Sequence, residues 1–299
     1  MPTKRKLHKK PTPLIGGIAI GFVLILSLFL FDFQKLIFNN ILNLSLLIVL
    51  LGVVDDLKNL KAKDKLIFQS IPIFLLVFKY NLTLDNLGEY PIIGLIELGS
   101  FAPIFTLLSI FLFINACNYL DGIDGSFGLI YLSAILILYL NIENKDNDIN
   151  YFYITISLPV IIFFFFNLTS FLPKVFLGDA GSLVLGYILA CLMIISHNVY
   201  NLHPIIIAWS VNIIIYDFLF VNLERIQKGQ NILKPGKDHI QHFFFKKTKS
   251  IMKSNLIMIG VNMSLAIFGI IIFKYINPLW SLGFFIILFY FYILVRSRL

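Results

Sequence analysis

The sequence predicts an all-α, polytopic integral membrane protein, and three observations carry that reading. Of the 299 residues, 59% are hydrophobic and only 13% charged, with a mean hydropathy of +0.89. A water-soluble fold of this composition would expose far too much apolar surface. The apolar residues also fall into ten runs joined by polar links, with no separate soluble domain, so residues 1–299 read as one membrane domain. Finally, the basic residues are lopsided between alternate links, as a fixed orientation in a bilayer requires.

Leu14–Phe31, the first run, follows a basic stretch (Lys4, Arg5, Lys6, Lys9, Lys10) and Pro11-Thr-Pro13. No small-residue cleavage site closes it, which favours a spanning helix over a secretory signal. Gly17 and Gly21 form a small-xxx-small pair suited to helix packing. The next runs are Leu36–Val54, Leu66–Tyr80, Phe101–Leu120, Gly125–Leu140 and Tyr151–Phe166. Val175–Ser196, Pro204–Asn222, Asn255–Lys274 and Pro278–Val295 complete the set, for ten expected crossings. The third and sixth fall short of the about 20 residues a crossing needs and must borrow from their flanks. Pro91–Ser100 is apolar, Gly-containing and too short to span, so it reads as a surface loop or hairpin. Cys117 and Cys191 sit in apolar runs and read as small buried hydrophobes rather than a disulfide pair.

With the N-terminus on one side, an even number of crossings places the links at residues 55–65, 121, 174 and 225–253 and the C-terminal tail on that same side. That side carries 20 of the 24 Lys and Arg residues, leaving Lys35, Lys79, Lys145 and Lys274 opposite. The positive-inside rule makes the basic side cytosolic. Asp85, Glu89, Glu97, Glu143, Asp146 and Asp148 on the other side read as solvated acids. The net charge of +8 belongs to membrane-surface links, and no nucleic-acid partner is expected.

Every polar motif then falls on the cytosolic face. Asn115, Asn118, Asp121 and Asp124 end the fourth run, where carboxylates mark a site more often than a turn. Their spacing of three drifts around a helix, so they converge only if the helix breaks, for which Gly122 is the candidate. Asp55-Asp56 closes the second helix, with Lys65 and Gln69 one turn apart at the mouth of the third. Adjacent carboxylates repel, which raises one pKa or recruits a cation. With Asp121, Asp124 and Asp179 on the same face, a hard divalent ion, Mg²⁺ or else Mn²⁺, fits the all-oxygen donor set. Gly178-Asp-Ala-Gly-Ser182 opens the seventh helix, where backbone N–H groups can meet phosphate and Ser182 can cap. In the long basic link, His239 and His242 at i, i+3 suit phosphate contact better than zinc, since Cys is absent there. Lys246 and Lys247 read as membrane-surface charge.

Together these residues resemble the polyprenyl-phosphate N-acetylhexosamine-1-phosphate transferases (glycosyltransferase family 4), the superfamily of the phospho-N-acetylmuramoyl-pentapeptide transferase. His8-x-x-Pro-Thr-Pro-x-x-Gly-Gly17 resembles the first cytosolic motif, and Asp55-Asp56 with Lys65 and Gln69 the second. Asn115–Gly125 resembles the third and Phe176–Gly186 the fourth. Asp217, Arg225, Gly229 and Asp238-His-Ile-Gln-His242 resemble the last, with Gln241 where the family carries a histidine. The family's usual helix before the first motif is expected to be absent.

The resemblance implies transfer of a sugar 1-phosphate from a UDP-sugar to undecaprenyl phosphate, with Mg²⁺ and release of UMP. It implies a metal ligand at Asp179 and catalytic roles for Asp55, Asp56, Asp121, Asp124 and Lys65. Asn115, Asn118, Arg225, His239 and His242 are the expected substrate contacts, with the lipid phosphate beside Asp55-Asp56. Asp-His-Ile-Gln-His favours the branch that starts O-antigen, teichoic acid or similar glycans over the pentapeptide transferase, and a homodimer is left open. A secondary transporter, the rival from another class, would place its acids near the bilayer midplane rather than at helix ends.

Overall fold

The computed structural model describes residues 12–169, 171–232, 236 and 238–298. The basic N-terminal stretch with His8 and Pro11, and Pro235, lie outside the described residues. The chain is an all-α polytopic membrane protein, and each of the ten apolar runs is a helix or a broken helix. The first six are α1 (Gly16–Leu30), α2 (Leu36–Lys58), α3 (Ala62–Phe74), α4 (Ala102–Leu120), α5 (Ser126–Asn141) and α6 (Asn147–Asn167). They are followed by α7 (Gly178–Asn198), α8 (Pro204–Ser210), α9 (Asn212–Gln227), α10 (Ile240–Thr248), α11 (Ile251–Tyr275) and α12 (Pro278–Ser297). Six helices are long and apolar enough to cross a membrane, or seven if α8 and α9 count as one span bent by 77°. The ten expected crossings exceed the larger count by three, because α1 and α5, at 15 and 16 residues, are shorter apolar helices and α3, at 13 residues, is shorter still. α3 contains Pro72, which removes a backbone donor, and runs on as a π-helical turn over Leu75–Lys79.

α7 is the axis of the bundle, packed against α1, α2, α4 and α5. In its most apolar stretch 83% of residues are buried by protein, against 6% in α12, whose surface is left to lipid. Glycines let the backbones meet: a Cβ on Gly17 would lie 2.0 Å from Gly181 N, and one on Gly52 2.2 Å from Ala180 Cα. Gly16 and Gly17 donate to the carbonyls of Phe176 and Leu177, and Phe176 N donates to Pro13 O, tying the first motif to the fourth. At the bend between α8 and α9, Asn262 of α11 accepts from Ile213 N (3.4 Å) and donates to Ser210 O (3.1 Å). A break inside lipid needs such a partner for its freed backbone groups.

Asn86–Tyr90 (β1) and Gly94–Glu97 (β2) form an antiparallel hairpin, as anticipated around Pro91–Ser100. Asp148, however, is not a solvated acid, and Asp146, though partly exposed, is tied to the fold. Asp148, 4% exposed, accepts from Gln34 N (3.0 Å) and Lys35 N (2.7 Å). Asp146 caps α6 through Ile149 N, accepts Tyr200 OH at 2.8 Å and pairs with Lys35. The two carboxylates clamp the α1–α2 link to the start of α6.

Candidate active site

α2 ends where Asn59 turns left-handed (φ 49°), leaving Asp55 and Asp56 in its last turn, pointing to different partners. Asp55 Oδ1 accepts from Leu60 N (2.9 Å), and Oδ2 lies 2.7 Å from Lys65 Nζ. Lys65 also reaches Asp179 Oδ1 at 3.1 Å and Asn118 Oδ1 at 3.5 Å. Asp56 crosses to α7, accepting from Asp179 N at 2.9 Å and Ala180 N at 3.2 Å. The adjacent acids therefore take different partners, Asp55 on α3 and Asp56 on α7.

Asp56, rather than Ser182, thus caps α7, and two N–H groups expected to meet phosphate are already taken. Gly178 makes the approach possible: its φ is +71°, and a Cβ there would lie 2.6 Å from Asp56 Oδ2. Ser182 lies inside α7 and accepts from Asn118 Nδ2 at 2.7 Å; the same amide donates to Asp179 Oδ1 at 2.6 Å.

The acidic cluster converges because α4 stops at Leu120, before Gly122. Gly125, at φ +72°, turns the chain into α5, whereas Gly122 provides room: a Cβ there would lie 2.7 Å from His242 Nε2. Asp124 pairs with Lys174 at 2.6 Å, and its carbonyl accepts from Asn255 Nδ2. Asp121 has no hydrogen-bond or ion-pair partner for its carboxylate among the described residues. Burial pushes its pKa well above the ordinary carboxylate range, and the charges of Asp179, Asp124 and Asp56 add to the rise. Asn115 lies deeper in α4, donating to Phe111 O (2.7 Å) and Gln69 Oε1 (3.2 Å).

α10 forms another wall, fixed by buried polar contacts. Asp217, 1% exposed in α9, accepts from Ile240 N (2.9 Å) and Tyr292 OH (3.0 Å) and meets His239 Nδ1 at 2.7 Å. Gln241 donates to Tyr119 O at 2.8 Å. Arg225 forms a fork with Asp238 (2.8 and 2.7 Å) and donates to Ile232 O, which closes the basic link. Burial alone would raise the Asp238 pKa, but the Arg225 fork together with a backbone hydrogen bond holds it below the usual carboxylate value. His239 occupies the N-cap position, outside the helix and 3% exposed. It therefore shares no helical face with His242, contrary to the i, i+3 expectation.

A cavity of about 580 Å³ opens between these walls. Asp56, Asn118, Asp121, Asp124, Asp179 and His242 line it, with Phe163, Phe176, Phe245 and Leu14 as its apolar part. Asn167 and Lys246 line it as well, whereas Asp55, Lys65, Asn115, Arg225 and His239 do not. Among the described residues, no three His, Cys, Asp or Glu side chains are grouped so as to hold a metal ion by themselves. Mg²⁺ rarely needs such a cage, since one or two carboxylates, ligand phosphates and water complete its shell. The uncompensated Asp121 and the adjacent Asp179 fit that pattern.

A family model described as glycosyl transferase family 4 matches residues 38–197, more than half of the chain. The chain belongs to glycosyl transferase family 4. It is 30% identical to the undecaprenyl-phosphate alpha-N-acetylglucosaminyl 1-phosphate transferase of Pasteurella multocida, over 97% of this chain and 84% of the relative. The Yersinia pestis protein of that name is 27% identical over 90% of this chain and 75% of its own length. A probable undecaprenyl-phosphate N-acetylglucosaminyl 1-phosphate transferase of Bacillus subtilis is 30% identical, over 81% of this chain and 68% of the relative.

The glycosyl transferase family 4 match holds the Asp55-Asp56, Asp121-to-Asp124 and Asp179 motifs and stops short of α10. Sequence reasoning gave no role to Lys174 or Asn167 and no separate role to Asp217, and it read Lys246 as membrane-surface charge, whereas Lys246 lines the cavity. Asp217 carried a signal, being an ionisable residue in the middle of an apolar run. Lys174 and Lys246 carried none, because only the fold sets either beside an aspartate cluster.

Proposed function

We propose that this chain transfers N-acetylglucosamine 1-phosphate, or a related N-acetylhexosamine 1-phosphate, from a UDP-sugar to undecaprenyl phosphate on the cytosolic face of a bacterial cytoplasmic membrane. One observation carries the reading: Asp56, Asn118, Asp121, Asp124 and Asp179, all within the span the family model matches, line a single cavity at one end of the bundle together with His242. The relatives' names favour this reaction over the pentapeptide transferase and the transporter. An oxygen of the lipid phosphate attacks the β-phosphorus of the donor, the bond from that phosphorus to the bridging oxygen breaks, and UMP leaves with the bridging oxygen. An ionised phosphate needs little help from a base, so positioning and charge neutralisation carry most of the catalysis.

Asp179 and Asp121 are the residues that would hold Mg²⁺. Bound there, the ion would neutralise charge on the donor diphosphate. Asp56 fixes the start of α7 and with it Asp179, while Lys65 and Asn118 hold the Asp179 carboxylate in place. Lys65 also neutralises Asp55, which makes Asp55 a support for the site rather than a neighbour of the lipid phosphate. His242, on the α10 wall, is the donor to phosphate oxygens.

The test is purified protein or membranes given undecaprenyl phosphate and a panel of UDP-N-acetylhexosamines, scored for UMP and lipid-linked sugar. UMP release that stops on chelation and returns with Mg²⁺ is the expected result. Verified, folded protein that made no product from any donor would sink the proposal.

A further inference from the structure

α10 ends in two adjacent lysines of the same type and the same surface exposure, and the fold treats them differently. Lys247 lies over the ring of Phe243, 5.8 Å from its centroid, and does not line the cavity. Lys246 does line it, one helical turn after His242 and next to Phe245. The helix that presents it is fixed at both ends. Asp217 and Tyr119 hold Ile240, His239 and Gln241 at its start, and Thr248 meets Ser254 Oγ at 2.8 Å at its end.

The charge on the cavity wall is unbalanced. Four carboxylates line it, those of Asp56, Asp121, Asp124 and Asp179, and Lys246 is the one lysine or arginine among the described lining residues. The cations that pair with these acids, Lys65 with Asp179 and Lys174 with Asp124, do not line the cavity. Lys246 makes no ion pair among the described residues, so its ammonium is uncommitted. An anionic ligand entering a cavity lined with aspartates needs positive charge fixed on the protein side, and α10 supplies it from a wall that the acids do not occupy.

We infer that Lys246 is a substrate-binding residue of this cavity that contacts a phosphate oxyanion, while Lys247 is a membrane-surface charge. The inference rests on the proposed sugar-phosphate transfer and adds a contact to it. Two substrates could present that oxyanion, the lipid phosphate or the donor diphosphate, and the chemistry of recognition is the same for both.

The experiment compares wild type, Lys246→Ala, Lys246→Arg and Lys247→Ala as purified full-length protein, measuring KM separately for undecaprenyl phosphate and for UDP-N-acetylglucosamine. Lys246→Ala should raise one KM by about tenfold, the scale of about 1.4 kcal/mol. The substrate whose KM moves identifies which phosphate is held. Lys246→Arg should recover most of the loss, and Lys247→Ala should stay within about twofold of wild type. A second readout needs no turnover: inorganic pyrophosphate binding by calorimetry, which Lys246→Ala should weaken by a similar factor and Lys247→Ala should not. Inactive wild type would count against the sugar-phosphate transfer and leave pyrophosphate binding to decide the role of Lys246. Parallel behaviour of the two alanine variants, in KM or in pyrophosphate affinity, would overturn the inference.

Discussion

The two ends of this bundle each gather aspartates, and they use them in opposite ways. At the end away from the cavity, Asp146 and Asp148 are saturated by backbone N–H groups, Tyr200 and Lys35, and they join α6 to the α1–α2 link. At the cavity, Asp56 is saturated in the same manner by the start of α7, yet the carboxylate of Asp121 has no hydrogen-bond or ion-pair partner among the described residues. A carboxylate left partly buried and unpaired costs stability unless something arrives to meet it. The saturated acids hold the fold together; the unsatisfied one marks where a ligand or cation is expected.

The largest expected effect tests the functional side of that contrast. Asp179→Asn keeps the shape and one oxygen but removes the charge, so turnover should fall about a hundredfold or more, roughly 2.7 kcal/mol, while the fold survives. Turnover titrated against Mg²⁺, with thermal stability measured alongside, checks it. Unchanged Mg²⁺ dependence in an active variant would move the metal to Asp56 or Asp121.

The structural side should answer in the opposite currency. Asp148→Ala strands two backbone donors and should cost about 2 kcal/mol of stability, with turnover per folded molecule unchanged. Denaturation in detergent against specific activity separates the two. A loss of specific activity at full stability would erase the distinction between the ends.

Asp121→Asn should cost turnover and yet stabilise the metal-free protein at neutral pH, on the order of 1 kcal/mol, because it removes an unpaired charge. Its native pKa lies above the unfolded value, so the native state takes up the proton first and chelated wild type gains stability as pH falls through that raised pKa. The variant should lack this gain. Asp146 has the opposite sign. Burial opposes its ionisation, but Lys35 and its cap and Tyr200 bonds hold its pKa below the ordinary value, so its contribution is lost as pH falls through that lowered pKa. The pair is partly exposed, and Asp146→Asn, which can still cap α6, should cost less than about 1 kcal/mol. Thermal melts of the chelated proteins across pH would show both slopes.

Much of this was legible in the sequence. Local hydropathy sufficed to find the apolar helices, though not α10 or the break between α8 and α9, and the aspartates revealed themselves by being ionisable at the ends of apolar runs. What escaped was pairing over distance. Nothing local says that Asp56 caps a helix more than a hundred residues on, or that Asp217 selects His239 and leaves His242 to the cavity. Adjacent Asp55 and Asp56 look alike in sequence, as do Lys246 and Lys247, and a turn of helix geometry sends each to a different neighbour. Hydropathy likewise marks an apolar run but not where its helix ends, so α1 and α5 are shorter than the length a crossing usually takes.

The glycine contacts of α7 determine which parts of the cavity can yield. Where Gly17 meets Gly181 and Gly52 meets Ala180, backbone lies on backbone with no side chain between them. Such a joint has no rotamers to exchange, so it cannot widen gradually for a bulkier guest. The α10 wall, by contrast, is held by side chains, each with other orientations available. Any adjustment of the cavity to larger or smaller ligands therefore falls to α10, with the α1–α2–α7 joint serving as the fixed jaw against which it moves.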